Sequence, residues 1–220
     1  MSPCRFPATG SKLWRWGPGI AIACLVSTPV VAQQSAPTTY AVDAKSSRFI
    51  VEVGRAGFLK MFGHDHTIVV ERFAGAIHWD EQAPSDSSFT LEVDAASLTV
   101  ADDEVSEEER RSVQRDMEVK ALGLPAHAKI RFESTSVKMT KINPVTLDVK
   151  GLLDLRGVRK EIQIPVELEF QEAAVVARGE FEIQGKDFGV PQVAAAGGAV
   201  KTRNELELAF EIRAVARPER

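Results

Sequence analysis

The residues best placed to do chemistry are Gly63-His64-Asp65-His66. In an extended chain positions i and i+2 project to one side, so His64 and His66 could present two imidazoles to a transition metal. Such a site needs a third and a fourth ligand, and the remaining histidines, His78 and His127, lie far off in sequence. There is no second H-x-H, and Cys4 and Cys24 both fall in an N-terminal stretch expected to be removed. A metal- or haem-binding site on His64 and His66 is therefore the alternative reading. The simpler one has these groups hydrogen-bonding to lock a turn, or meeting the polar end of a ligand at a pocket mouth. Asp187-Phe188-Gly189 matches the kinase magnesium motif in letters alone, with no phosphate loop, catalytic loop or strand lysine beside it. No G-x-S-x-G nucleophile motif occurs, and 191–200 is glycine-rich without the strand-loop-helix setting of a phosphate cradle. No catalytic residue is assigned, and the chain reads as a binding protein rather than an enzyme.

The elements that must hold these residues are mostly strands. Over 161–170, Ile162, Ile164, Val166, Leu168 and Phe170 alternate with Glu161, Gln163, Pro165, Glu167 and Glu169. Side chains in a strand point to opposite faces at period two, so this segment has one apolar and one polar face. The pattern returns in Leu206, Leu208, Phe210 and Ile212, and in Val145, Leu147, Val149, Leu153 and Leu155. Extended segments are predicted over 40–43, 47–53 and 67–79, the last bulged at Phe73-Ala74-Gly75-Ala76, then around Phe89, Leu91 and Val93, and over 127–138, 145–155, 158–170, 174–186 and 203–215. Short turns such as Arg156-Gly157 imply hairpins. One helix is predicted over 106–122, opened by a Ser106/Glu109 capping box and closed by Gly123, with a thin stripe of Val113, Met117, Val119 and Leu122. Such a helix packs outside the sheet or over one end. About eight antiparallel strands with one helix can close as a barrel or stack as a sandwich, and alternation does not choose between them.

Arg5, Lys12 and Arg15, followed by an acid-free, partly apolar run to Ala32, have the layout of a secretory signal peptide cut ahead of Gln33. The expected organisation is a removed leader at 1–32, a linker at 33–39 and one domain at 40–217. Without the three leader cations, 24 of the 27 Lys and Arg remain against 31 Asp and Glu, a mature charge of 24 − 31 = −7. Phosphate binding needs concentrated cations, so a nucleic-acid partner is disfavoured. With both cysteines in the leader, no disulfide is expected in the mature chain.

The order Gly151-Leu152-Leu153-Asp154-Leu155-Arg156-Gly157-Val158, the alternating strand, Lys186-Asp187-Phe188-Gly189-Val190-Pro191 and a last alternating strand resembles the YceI-like family, also called polyisoprenoid-binding or lipocalin-like. Tyr40-Ala41-Val42-Asp43 and Arg131-Phe132-Glu133-Ser134-Thr135 are similar to its opening and central strands. The resemblance implies a mainly β fold, a single antiparallel, lipocalin-like eight-stranded barrel with one α-helix. It also implies residence in the periplasm and an apolar cavity holding a long isoprenoid such as a quinone tail, with no established enzymatic activity. Transient contact with a membrane redox partner is a further possibility.

An isoprenoid offers hydrocarbon and few polar handles, so binding must come from apolar area removed from water, at about 25 cal/mol per Å². The residues expected to line such a cavity are Phe49, Val51, Phe89, Leu91, Phe132, Leu147, Val149, Ile162, Ile164, Phe181 and Phe210. Phe58, Met61 and Phe62, in a glycine-flanked segment, are expected to cover one end. Small barrels are either packed full or hold one ligand; the packed core is the general expectation, and the resemblance reverses it. No cofactor beyond a bound isoprenoid lipid is expected.

Overall fold

The alternating run at 161–170 lies in β9 (Val158–Gln171), whose inward Ile164, Val166 and Leu168 are buried while the intervening charges face water. This computed structural model describes residues 36–56, 65–195 and 200–217. The expected leader, the segment holding Phe58, Met61, Phe62 and His64, and residues 33–35 of the expected linker lie outside those residues.

The strands are β1 (Thr38–Val42), β2 (Arg48–Ala56), β3 (His66–Val70), β4 (Phe73–Trp79), β5 (Ser88–Asp94), β6 (Leu98–Val100), β7 (Lys129–Ile142), β8 (Val145–Leu155), β9, β10 (Ala174–Gln184), β11 (Ala194–Ala195) and β12 (Val200–Ala216). All pairings are antiparallel, and they close a ring of eight in the order β1, β4, β5, β7, β8, β9, β10, β12 and back to β1. The fold is thus a mainly β, closed eight-stranded antiparallel barrel with a single α-helix among the described residues. Strands β2, β3 and β6 are the continuations of β1, β4 and β5 beyond a kink in each, and they form a second path outward from β12.

Each kink has a local cause. Between β1 and β2 the Asp43 carboxylate accepts from the Lys45 amide at 3.1 Å and the Ser46 hydroxyl at 2.8 Å, bending the chain into a tight turn. The other two kinks share one residue. Ser97 is buried, its hydroxyl donating to the Asp94 carbonyl at 2.7 Å and accepting from the Arg72 amide at 3.0 Å. The break in the long 67–79 stretch therefore falls at Glu71-Arg72, not at the predicted bulge, and Gly75 stays in the ladder opposite Leu91.

The helix is α1 (Glu107–Asp116), with the Ser106 hydroxyl accepting from the Glu109 amide at 3.2 Å as the capping box requires. It widens into a π turn, Met117–Leu122, and ends at Gly123 with φ 71°. Widening the turn changes the period, so Met117 and Leu122 are buried together while Val119, predicted on the same stripe, points to solvent. The Gln114 side chain continues the ladder of β6, accepting from the Val100 amide and donating to the Leu98 carbonyl, both at 2.9 Å. Arg156 and Gly157, with φ 57° and 74°, form the two-residue turn joining β8 to β9. The Arg156 guanidinium donates to the Lys120 and Ala121 carbonyls at 2.6 Å, fixing the helix end to that turn.

The core divides along the barrel axis. At one end Trp79, Leu147, Leu168, Val175 and Ala214 fill the ring. Phe170 does not join them as its alternation predicts: it is 40% exposed and leans on the Trp79 ring at a centroid distance of 5.2 Å. At the other end side chains from β2, β3, β6 and the helix form a second cluster around Phe49, Ile68 and Met117.

Candidate functional site

A cavity of about 610 Å³ occupies the barrel between these clusters and opens toward the helix end. Its floor is made by Val149, Ile164, Val166 and Ala177, resting on the filled end. Its walls are the inward rows of the long strands together with Val51, Ile68, Val70, Leu98 and Val100 from the kinked-out continuations. Met117 and Leu122 roof one side, and the segment after β10, with Val190 and Val193, borders the other. Charged side chains gather at the mouth: Arg55, Glu109, Asp116, Lys201 and Arg203.

Aromatic rings define the shape of the wall. Phe49, Phe210 and Phe181 form an edge-to-face chain with centroid distances of 6.1 and 6.3 Å. Two glycines make room for the rings. A Cβ on Gly151 would stand 2.4 Å from the Phe132 ring, and one on Gly179 would stand 2.5 Å from that of Phe210. Each ring thus lies against its wall instead of crossing the cavity.

Of the residues expected to line a cavity, Phe49, Val51, Phe89, Leu91, Phe132, Val149, Ile162, Ile164, Phe181 and Phe210 all border this one. Leu147 does not. It is fully buried in the filled end, two residues along β8 from Val149, because alternation specifies a face of the sheet and not a depth along the barrel. Phe58, Met61 and Phe62 lie outside the described residues. The sequence reading missed the contributions of β3, β6 and the helix. Ile68 with Val70 and Leu98 with Val100 carry the period-two signal, though each run is short. Met117 and Leu122 are spaced by the π turn, which no regular helical period would reveal.

The polar cluster resolves in part. His66 begins β3, on the inward row that continues through Ile68 and Val70, and it borders the cavity. Its Nδ1 lies 2.6 Å from Oδ2 of Asp102, whose other oxygen accepts from the Thr67 amide at 2.8 Å. The Asp102 side chain is 5% exposed and that of His66 18%. Asp65 faces Arg55 instead, accepting from its backbone amide at 2.9 Å. His64 lies outside the described residues. Among the described residues no three His, Asp or Glu side chains converge as metal ligands do.

The perturbed carboxylates sit elsewhere, on the outer surface. Hydrogen bonding from Ser46 holds Asp43 below the ordinary carboxylate range, and the guanidinium groups of Arg131, Arg72, Arg110 and Arg178 do the same for Glu92, Asp94, Glu107 and Glu169 respectively. None of these five groups lines the cavity.

A family model described as the YceI-like domain matches residues 40–214. The chain belongs to the YceI-like family. Solved structures with the same fold include that of Burkholderia cenocepacia BcnA, at a TM-score of 0.63 and 16% identity over 79% of this chain and 99% of that one. A polyisoprenoid binding domain from Saccharophagus degradans, implicated in plant cell wall breakdown, aligns at a TM-score of 0.58 and 12% identity over 82% and 99%. The Campylobacter jejuni YCEI protein aligns at 0.53 and 13% over 69% and 85%. No curated protein sequence matches the chain. The YceI-like barrel is therefore shared across widely diverged sequences.

Proposed function

We propose that this YceI-like barrel binds a single isoprenoid-type lipid, such as the tail of a quinone, and holds or carries it without transforming it. The observation that carries the reading is the hollow itself: a barrel solid at one end keeps about 610 Å³ open at the other, walled by aliphatic and aromatic side chains. That volume falls within the ~300–1,000 Å³ of small-ligand sites. Burial contributes about 0.8 kcal/mol per methylene-sized group, so one five-carbon unit brings at most ~4 kcal/mol and a few units reach micromolar affinity after the cost of association. The Saccharophagus degradans domain, described as polyisoprenoid binding, supports the same ligand class. The leader pattern at 1–32 supports delivery to the periplasm.

Native mass spectrometry of the protein isolated from its own cell envelope tests both parts at once. The expected mass is that of a chain beginning within a few residues of Gln33, with an added lipid that extracts as an isoprenoid. Val149→Trp and Ile164→Trp, placed at the cavity floor, should abolish lipid binding with little change in melting temperature, because the added atoms enter the hollow. Loss of about 1–3 kcal/mol of stability in both variants, as in an overpacked core, together with a lipid-free wild type, overturns the reading.

A further inference from the structure

The inward row of β3 runs Val70, Ile68, His66, and that of β6 and its extension runs Leu98, Val100, Asp102. Ile68 is the cross-strand partner of Val100, so the antiparallel register brings His66 opposite Asp102 on the same inner face. The contact is therefore built by the sheet rather than by a chance rotamer, and it puts one polar pair into an otherwise apolar row. Asp102 is nearly inaccessible, its Oδ1 already accepting from the Thr67 amide. An ionised carboxylate only accepts, so Oδ2 takes the ring N–H of His66 at Nδ1. A neutral imidazole then carries its lone pair on Nε2. That atom has no partner among the described residues, while the residue borders the cavity.

We infer that His66, oriented by Asp102, is the contact for the ligand's polar end, and that it selects isoprenoids ending in a hydroxyl, an alcohol or a phenol, over the same tails ending in an ether or a carbonyl. The inference rests on the lipid-binding reading above. A hydroxyl donates to Nε2, whereas an ether or carbonyl oxygen can only accept and would face another lone pair. The hydroxyl could come from a polyprenol or from the reduced form of an isoprenoid quinone, since both present the same donor.

The test compares ligand pairs that differ only at the head. Dissociation constants are measured for the full mature chain with geranylgeraniol against its methyl ether, and with a short-tailed quinol against its quinone under anaerobic conditions. The wild type should bind the hydroxyl member of a pair tighter by roughly three- to tenfold, the size of one net hydrogen bond. The pair with the tighter hydroxyl member identifies the source. His66→Phe should erase the preference within each pair, bringing the hydroxyl member and its partner to equal affinity. In Asp102→Asn the Thr67 amide keeps the side-chain oxygen, and the new NH2 donates to Nδ1. The ring proton is thereby moved to Nε2, so the preference should reverse toward the ether and the carbonyl. A merely structural pair would not produce that reversal. If Asp102→Asn does not fold, His66→Phe alone decides. Equal affinity of the wild type for both members of each pair overturns this inference and leaves the lipid-binding reading standing. Failure to bind any of the four, or squalene, overturns both.

Discussion

The two ends of this barrel are built from the same long strands and differ in what those strands meet. At the filled end β12 pairs with β1, β1 with β4, β4 with β5 and β5 with β7, so the ring is complete and narrow enough for side chains to fill it. At the other end the kinks redirect the three short strands along β2, β3 and β6. The pairing of β5 with β7 stops at Asp94 and Lys129, and β6 meets the Gln114 side chain instead of another strand. A helix thus replaces a strand in the perimeter, and a wider perimeter lined by similar side chains encloses space. Hollowness here comes from topology more than from residue size, for the hollow end holds Phe49, Phe181 and Phe210.

The sharpest contrast is one deletion made at both ends. Leu147→Ala in the filled end should cost about 2–5 kcal/mol, because a fully buried side chain leaves a cavity that its neighbours cannot close. Leu208→Ala, which removes the same atoms from the cavity wall, should cost clearly less, below about 2 kcal/mol, since those atoms already border open volume. Chemical denaturation of the two variants gives both values, and equal losses would mean that the ends are packed alike.

A smaller effect is expected at the seam between helix and strand. Gln114→Leu keeps the side-chain bulk but removes both hydrogen bonds to β6. It should cost about 1–3 kcal/mol through the unpaired Val100 amide and Leu98 carbonyl, and hydrogen exchange should localise the loosening to β6 and α1. Exchange that rises equally at Leu147 and its neighbours would show that the two ends unfold as one unit.

The smallest concerns acid. The folded-state pKa values of Asp43, Glu92, Asp94, Glu107 and Glu169 lie below their ordinary 3.8 to 4.5, so their contribution is present above that range and is lost as pH falls through the still lower folded values. Glu107 and Glu169 are exposed and Asp43, Glu92 and Asp94 partly so, so the loss should be modest and should shrink with salt. Melting curves between pH 5 and about pH 2 at low and high ionic strength test this. A steep loss already complete above pH 4.5 would point to other groups.

Much of the filled end was legible in the sequence. The runs in β8, β9 and β12 are long enough for alternation to give element, face and hairpin pairing, and the Ser106 cap marks the helix start. Depth along the barrel was not legible. Leu147 and Val149 share a face and are both buried, yet only Val149 borders the cavity. The kinks were hidden because a single serine makes two of them: Ser97 looks like any turn residue until Arg72 and Asp94 stand beside it. Val119 was misplaced because the helix changes its period where it crosses the barrel mouth. His66 was visible as a polar residue near a pocket, but its partner depended on the register of two short strands, which fixes Asp102 opposite it.

Pro165 sits within β9 two residues beyond the last rung toward β10, where its register partner would be Glu180. The ladder between these strands runs from Ala174 and Gln171 to Arg178 and Glu167 and goes no further, although β9 stays paired with β8 and β10 with β12 beyond that point. A proline has no amide hydrogen to donate, so it cannot carry the ladder further. In terms of time, this wall is the place where the barrel should open first. Amides of β9 and β10 flanking the seam are expected to exchange well before those of β8. Local opening at that seam needs no unfolding of the whole barrel.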